Sequence, residues 1–181
     1  MASLTDSVSL NQCAELWNAM NLESGQPVKP EGEGRSRAKP LRDAACRDQP
    51  TSILIVEDNK SDEFLIRESI FAAGIVAEIH VVNDGEKALQ YFREVDQNDD
   101  LPCPSLVVLD INLPKRHGTE VLQEMRKSRR CGGARVVVAT SSDSVKDRQD
   151  VALYGLDEYF RKPSDYNEFI KLGSVIKHLL E

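Results

Sequence analysis

The chain has 181 residues, 40% hydrophobic and 29% charged, a composition suited to one soluble globular domain with a single core. Its 23 Lys+Arg against 30 Asp+Glu give a net charge of −7, which argues against a protein whose main task is holding a phosphate backbone. The cysteines Cys13, Cys46, Cys103 and Cys131 form no C-x-x-C pair and are expected as free thiols of a reducing compartment. The opening MASLTDSVSL carries no basic and apolar signal, and the longest apolar runs are strand-sized, so a cytoplasmic protein without a membrane anchor is expected.

In chain order, Leu10, Cys13, Ala14, Trp17 and Met20 recur at helical spacing, which leaves two readings for this stretch: a short amphipathic helix over 8–21, or a frayed leader. From Glu23 to Pro50 lie Pro27, Pro30, Pro40 and Pro50 with three glycines and only Val28 and Leu41 as large apolar residues. So little burial cannot offset the entropy of ordering, so residues 1–50 read as a disordered leader and linker.

From Thr51 the pattern alternates. Ile53–Val56 is a strand, and Ser61, followed by Asp62 and Glu63, opens a helix that stops at Gly74. Ala77–Val82 alternates as an outer strand would, and Asn83-Asp84-Gly85 turns into a helix with Ala88, Leu89 and Phe92 inward. A polar loop, Asp96–Pro104, precedes Leu106–Leu109, a strand buried on both faces. Helix Thr119–Lys127 leads through Gly132-Gly133 to strand Val136–Ala139, helix Val145–Tyr154 ends at Gly155, and Glu158–Phe160 is a short strand. Asp165 with Glu168 opens the last helix as a D-x-x-E box. Arg126, Lys127, Arg129, Arg130 and Arg135 read as the solvated basic end of the third helix and not as a nucleic-acid patch. Five β-α units predict a right-handed parallel sheet between two helical layers.

In such a sheet ligands bind beyond the carboxyl ends of the strands. Strand 1 ends in Glu57-Asp58, strand 3 in Asp110, strand 4 in Thr140, and Lys162 follows strand 5. Three carboxylates brought together repel one another and call for a cation, and hard oxygen ligands with room for water suit Mg²⁺. A hydroxyl and an ammonium facing a metal-bound carboxylate suit a tetrahedral phosphoryl group. The chemistry this spacing favours is phosphoryl transfer onto a carboxylate.

The segments I-L-I-V-E-D-N at Ile53–Asn59, L-V-V-L-D-I-N-L-P-K-R-H-G at Leu106–Gly118, V-V-V-A-T-S-S at Val136–Ser142 and Y-F-R-K-P at Tyr159–Pro163 resemble the response-regulator receiver domains of two-component signalling. The likeness runs over 51–181. It implies a flavodoxin-like doubly wound α/β sandwich, a five-stranded parallel sheet of order 2-1-3-4-5 with five helices. It implies Asp110 as phosphoacceptor from a sensor histidine kinase, with Mg²⁺ held by Glu57, Asp58, Asp110 and the Asn112 backbone carbonyl. By the same likeness Lys162 pairs with Glu57 or Asp110 before taking a phosphoryl oxygen, and a cis Lys162–Pro163 bond aims it inward. Thr140 donates its hydroxyl to the phosphoryl group, and Tyr159 is the switch aromatic that moves with it. Ser142 and Asn112 sit where the family sets the lifetime of the acyl phosphate.

The long Asp96–Pro104 stretch resembles small stand-alone regulators, some of which partner bacterial phytochrome kinases. The output then passes to a downstream protein target or phosphotransfer protein, and homodimerisation through helix 4, strand 5 and helix 5, common in the family, is left open. Two alternatives remain: a small-molecule phosphatase with an Asp nucleophile, and a receiver-like scaffold that signals without phosphate. The phosphatases resemble D-x-D, whose second Asp is the general acid, whereas Asp110-Ile111-Asn112 has an amide there. A phosphoacceptor signalling protein, not an enzyme, is expected.

Overall fold

The computed structural model describes residues 51–181; the leader, its short helix over 8–21 and the linker lie outside the described residues. Five strands, β1 (Ser52–Val56), β2 (Glu78–Val82), β3 (Leu106–Leu109), β4 (Arg135–Thr140) and β5 (Glu158–Arg161), form one parallel sheet of order β2-β1-β3-β4-β5. Between and after them run α1 (Lys60–Ala72), α2 (Gly85–Gln97), α3 (Gly118–Lys127), α4 (Val145–Leu153), α5 (Tyr166–Ile170) and α6 (Leu172–Leu180). The order and the all-parallel pairing are those the resemblance implies.

Strand parity separates two cores. Leu54, Val56, Val107, Leu109, Val136 and Val138 face α2, α3 and α4, packing on Phe92, Leu122, Met125 and Val151. Ile53, Ile55, Leu106, Val108, Val137 and Ala139 face α1, α5 and α6, packing on Ile66, Ile70, Phe169 and Ile176. β1 and β3 are buried along their whole length, the outer strands β2 and β5 only partly, which is why the former read as unbroken aliphatic runs.

Several element ends differ from the sequence reading. The cap of α1 is Asn59, not Ser61: its side chain accepts from the Ser61 N–H at 2.9 Å. Gly74 does end that helix, at φ +68°, a conformation that costs glycine nothing. The last helix is split at Lys171 into α5 and α6. Asp165 caps α5 by accepting from the Glu168 N–H at 3.0 Å, but the Glu168 carboxylate goes to Lys171 and does not return to Asp165, so only half of the box forms.

The stretch read as a free polar loop is tightly held. α2 continues to Gln97, and the Asp96 carboxylate accepts from Ser128 Oγ and the Arg130 N–H at 2.9 and 3.0 Å. The Arg130 guanidinium donates to the carbonyls of Val95, Asn98, Asp99 and Leu101. Arg126 likewise donates to Gly132, Ala134, Tyr154 and Gly155. These two arginines are therefore braces and not a solvated helix end: each fork satisfies carbonyls that end other elements. Cys103 and Cys131 are joined in a disulfide, with Cα atoms 5.5 Å apart, contrary to the free thiols expected. Twenty-eight residues separate them in sequence, but β3 and β4 are neighbours and start side by side, so the segments leading into them meet.

Candidate functional site

The sheet register assembles the site. Val56 pairs with Leu109, so the next residues, Glu57 and Asp110, emerge side by side at the carboxyl edge. The Glu57 N–H donates to Val82 O and the Asp110 N–H to Val56 O, both at 3.0 Å, which extends the ladder under the two acids. On the other side Thr140 pairs with Arg161, and the Lys162 N–H donates to Thr140 O at 2.9 Å, prolonging β5 to the lysine.

Glu57, Asp58 and Asp110 each present a carboxylate oxygen within 4.8 Å of the others, so they could hold a divalent metal. Glu57 and Asp110 are buried and Asp58 is exposed at the rim. Lys162, whose side chain is 5% exposed, lies among them: its ammonium donates to Glu57 Oε2 at 2.6 Å and to Asp110 Oδ2 at 2.8 Å. It also donates to Asp62 Oδ2 at 2.8 Å, a partner that sequence reasoning missed because Asp62 read only as a favourable first-turn acid of α1. Lys162 reaches all three from a trans Lys162–Pro163 bond, since the described residues contain no cis peptide. The bond is thus trans and not the cis bond expected, and the Lys162 N–H bond to Thr140 O keeps the backbone there in line with β5.

Burial pushes the Glu57 carboxyl up to about 7, outweighing the hydrogen bond from Lys162, with Asp110 adding to the rise. Burial alone would lower Lys162, but hydrogen bonds to Asp110, Asp62 and Glu57 overcome it and raise its pKa. The ammonium is fixed as a cation. Extra positive charge is what this crowd of carboxylates lacks, and hard oxygen donors fit a divalent ion.

The loop after β3 is shaped around Asp110. The Asn112 N–H donates to Asp110 Oδ1 at 3.1 Å, and Gly118 N–H bonds back to Ile111 O at 2.8 Å. A Cβ on Gly118 would stand 2.3 Å from the Asp110 carbonyl oxygen, so only glycine admits this close approach. Thr140 is fully buried, but its Oγ1 accepts from the Ser142 N–H at 3.2 Å and makes no bond to the acids. Ser142 in turn accepts at its carbonyl from the Tyr159 hydroxyl, 3.3 Å away, and its own hydroxyl donates to Asp147 at 2.8 Å. Thr140 and Tyr159 are thus linked through one residue. Tyr159 is half-buried, with the Arg148 guanidinium 5.1 Å over its ring.

A doubly wound parallel sheet carrying three acids and a buried lysine at its carboxyl edge is the arrangement expected of a receiver-type signalling domain. Residues 53–172 match the response regulator receiver domain, and the chain belongs to that family. It is 36% identical over 130 residues to the response regulator Rcp1 of Synechocystis, covering 71% of this chain and 87% of that protein. It is 32% identical over 130 residues to a probable methanogenesis regulatory protein, FilR2, of Methanothrix harundinacea, covering 72% of this chain and 83% of that one. Among solved structures, the phosphorylated cyanobacterial phytochrome response regulator RcpA superposes with a TM-score of 0.66 at 29% identity, over 73% of this chain and 94% of that one. The Mn²⁺-bound form of Rcp1 gives 0.65 at 30%, over 73% and 96%. Receiver domains of this family partner with sensor histidine kinases. Among the described residues no helix is long and apolar enough to cross a membrane.

Proposed function

We propose that Asp110 accepts a phosphoryl group from a sensor histidine kinase in a Mg²⁺-dependent reaction and that the chain passes the signal on through a conformational switch or onward transfer. The observation that carries this reading is the buried ammonium of Lys162, bonded at once to Asp110 and Glu57 beside the three-carboxylate cluster. Mg²⁺, held by Glu57, Asp58, Asp110 and the Asn112 carbonyl, would neutralise charge on the transferring phosphoryl oxygens. Asp110 attacks phosphorus with one carboxylate oxygen. Lys162 gives the hydrogen bond it now makes to Asp110 to a phosphoryl oxygen. Thr140 turns its hydroxyl from Ser142 toward another phosphoryl oxygen, and because Ser142 also receives the Tyr159 hydroxyl, that rotation disturbs Tyr159.

The likeness to Rcp1 and to the phytochrome response regulator RcpA favours a kinase of the phytochrome class as the donor. The receiver spans 51–181 and the first 50 residues act as a leader dispensable for phosphorylation. Asn112 supplies no general acid for a leaving alcohol, so poor turnover on phosphate esters is expected. Acetyl phosphate with Mg²⁺, read by intact mass, tests the proposal. Wild type gains one phosphate and loses the gain in EDTA, while Asp110→Asn gains none. Wild type without an adduct from either acetyl phosphate or a histidine kinase would refute it, and steady hydrolysis of p-nitrophenyl phosphate would favour the phosphatase alternative.

A further inference from the structure

An ammonium has three N–H donors, and all three of Lys162 are taken, by Glu57, Asp110 and Asp62. Two of these acceptors stand at strand ends and have other duties. The oxygens of Asp110 must meet phosphorus, and those of Glu57 face the metal cluster. Asp62 comes from the first turn of α1, its side chain one-quarter exposed, and among the described residues its carboxylate accepts from nothing but Lys162. An acid placed only to suit the helix N-terminus would have no reason to reach into a buried site.

We infer that Asp62 is a positioning residue for phosphoryl transfer, holding the Lys162 ammonium in place while its hydrogen bond to Asp110 is exchanged for one to a phosphoryl oxygen. The inference rests on the phosphoacceptor function proposed above. In the transfer, a bond forms between an Asp110 carboxylate oxygen and phosphorus. The bond from phosphorus to the donor breaks, and the leaving group, acetate or the kinase imidazole, departs with the electron pair. Lys162 keeps all three protons. The Asp110 oxygen, now in an acyl phosphate, is a poorer acceptor, so the ammonium is retained by Glu57 and Asp62 as a phosphoryl oxygen replaces the third partner. Without Asp62 a nearly buried N–H is unpaired and the ammonium is free to turn toward the rim.

The test compares the full chain with Asp62→Ala and Asp62→Asn, following phosphorylation against acetyl phosphate and Mg²⁺ concentration. Loss of one hydrogen bond to a charged group predicts a maximal rate lowered ~10-fold in Asp62→Ala, with half-saturating acetyl phosphate and Mg²⁺ within about twofold of wild type. Asp62→Asn keeps an acceptor oxygen and recovers to within about threefold. A maximal rate in Asp62→Ala within about twofold of wild type, or a loss residing in Mg²⁺ affinity, would overturn the inference. If wild type itself takes no phosphate, the phosphoacceptor reading fails separately. The ¹⁵N resonance of the Lys162 ammonium then decides the positioning role: a protected signal in wild type that vanishes in Asp62→Ala supports it, and an unchanged signal in the variant overturns it.

Discussion

Glu57 is the residue whose chemistry the fold changes most. Held up to about 7 by burial, against an ordinary 4.5, it keeps its proton when the unfolded chain has already released one. The folded state therefore binds more protons between those values, and this contribution to stability, complete below about 4.5, is lost as pH rises through about 7. In chelator, wild type should lose up to about 3 kcal/mol of unfolding free energy across that window and Glu57→Gln should not, by urea titration at each pH. A metal needs the ionised form, so divalent-ion affinity should fall as pH drops below about 7, read by calorimetry. Gly118→Ala places a methyl against the Asp110 carbonyl, and a loss of about 2 kcal/mol or more is expected in the same titration, with weaker metal binding as Asp110 is displaced. The strand-end residues Glu57, Asp58, Asp110, Thr140 and Lys162 were legible in the sequence because a parallel strand delivers whatever follows it to one edge. Asp62 was not. Which helix residue leans over that edge depends on how α1 packs, and periodicity does not encode it.

At the level of elements, the β-α alternation was readable because β1, β3 and β4 are buried on both faces and leave unbroken aliphatic runs. Element ends were less so, since Asn59 and Ser61 are equally good caps in composition and only the backbone selects one. Least legible was the brace between the α2–β3 loop and the α3–β4 turn, built from the Asp96 and Arg130 hydrogen bonds and the Cys103–Cys131 disulfide. It joins segments remote in sequence, and a guanidinium reads as solvated until carbonyl acceptors are brought to it. Closing a ring of this size in the unfolded chain is worth about 3.5 kcal/mol. Reduced protein, or the double variant Cys103→Ala/Cys131→Ala, should lose stability of that order while still taking phosphate, because the disulfide sits at the starts of β3 and β4 and Asp110 and Thr140 at their ends. Arg130→Ala should speed amide exchange in residues 98–105 and leave the strands protected.

For the whole molecule, the described residues 51–181 build a core on either side of the sheet. On the proposed division of the chain, removing the residues before Thr51 should leave the fold and phosphorylation intact, and loss of folding would show that those residues contribute to a core. Size-exclusion chromatography with and without beryllofluoride, which stands in for the phosphoryl group, reports whether activation pairs two copies through α4, β5, α5 and α6. On the proposed function one carboxylate, Asp110, carries the signal. Borohydride trapping of the phosphorylated chain followed by peptide mapping locates the acceptor, because borohydride converts an aspartyl phosphate to homoserine. Homoserine is expected at residue 110 alone, dependent on Mg²⁺; modification at Asp58 or Asp62, or a phosphate stable to borohydride on Thr140, would rule out Asp110 as the sole acceptor.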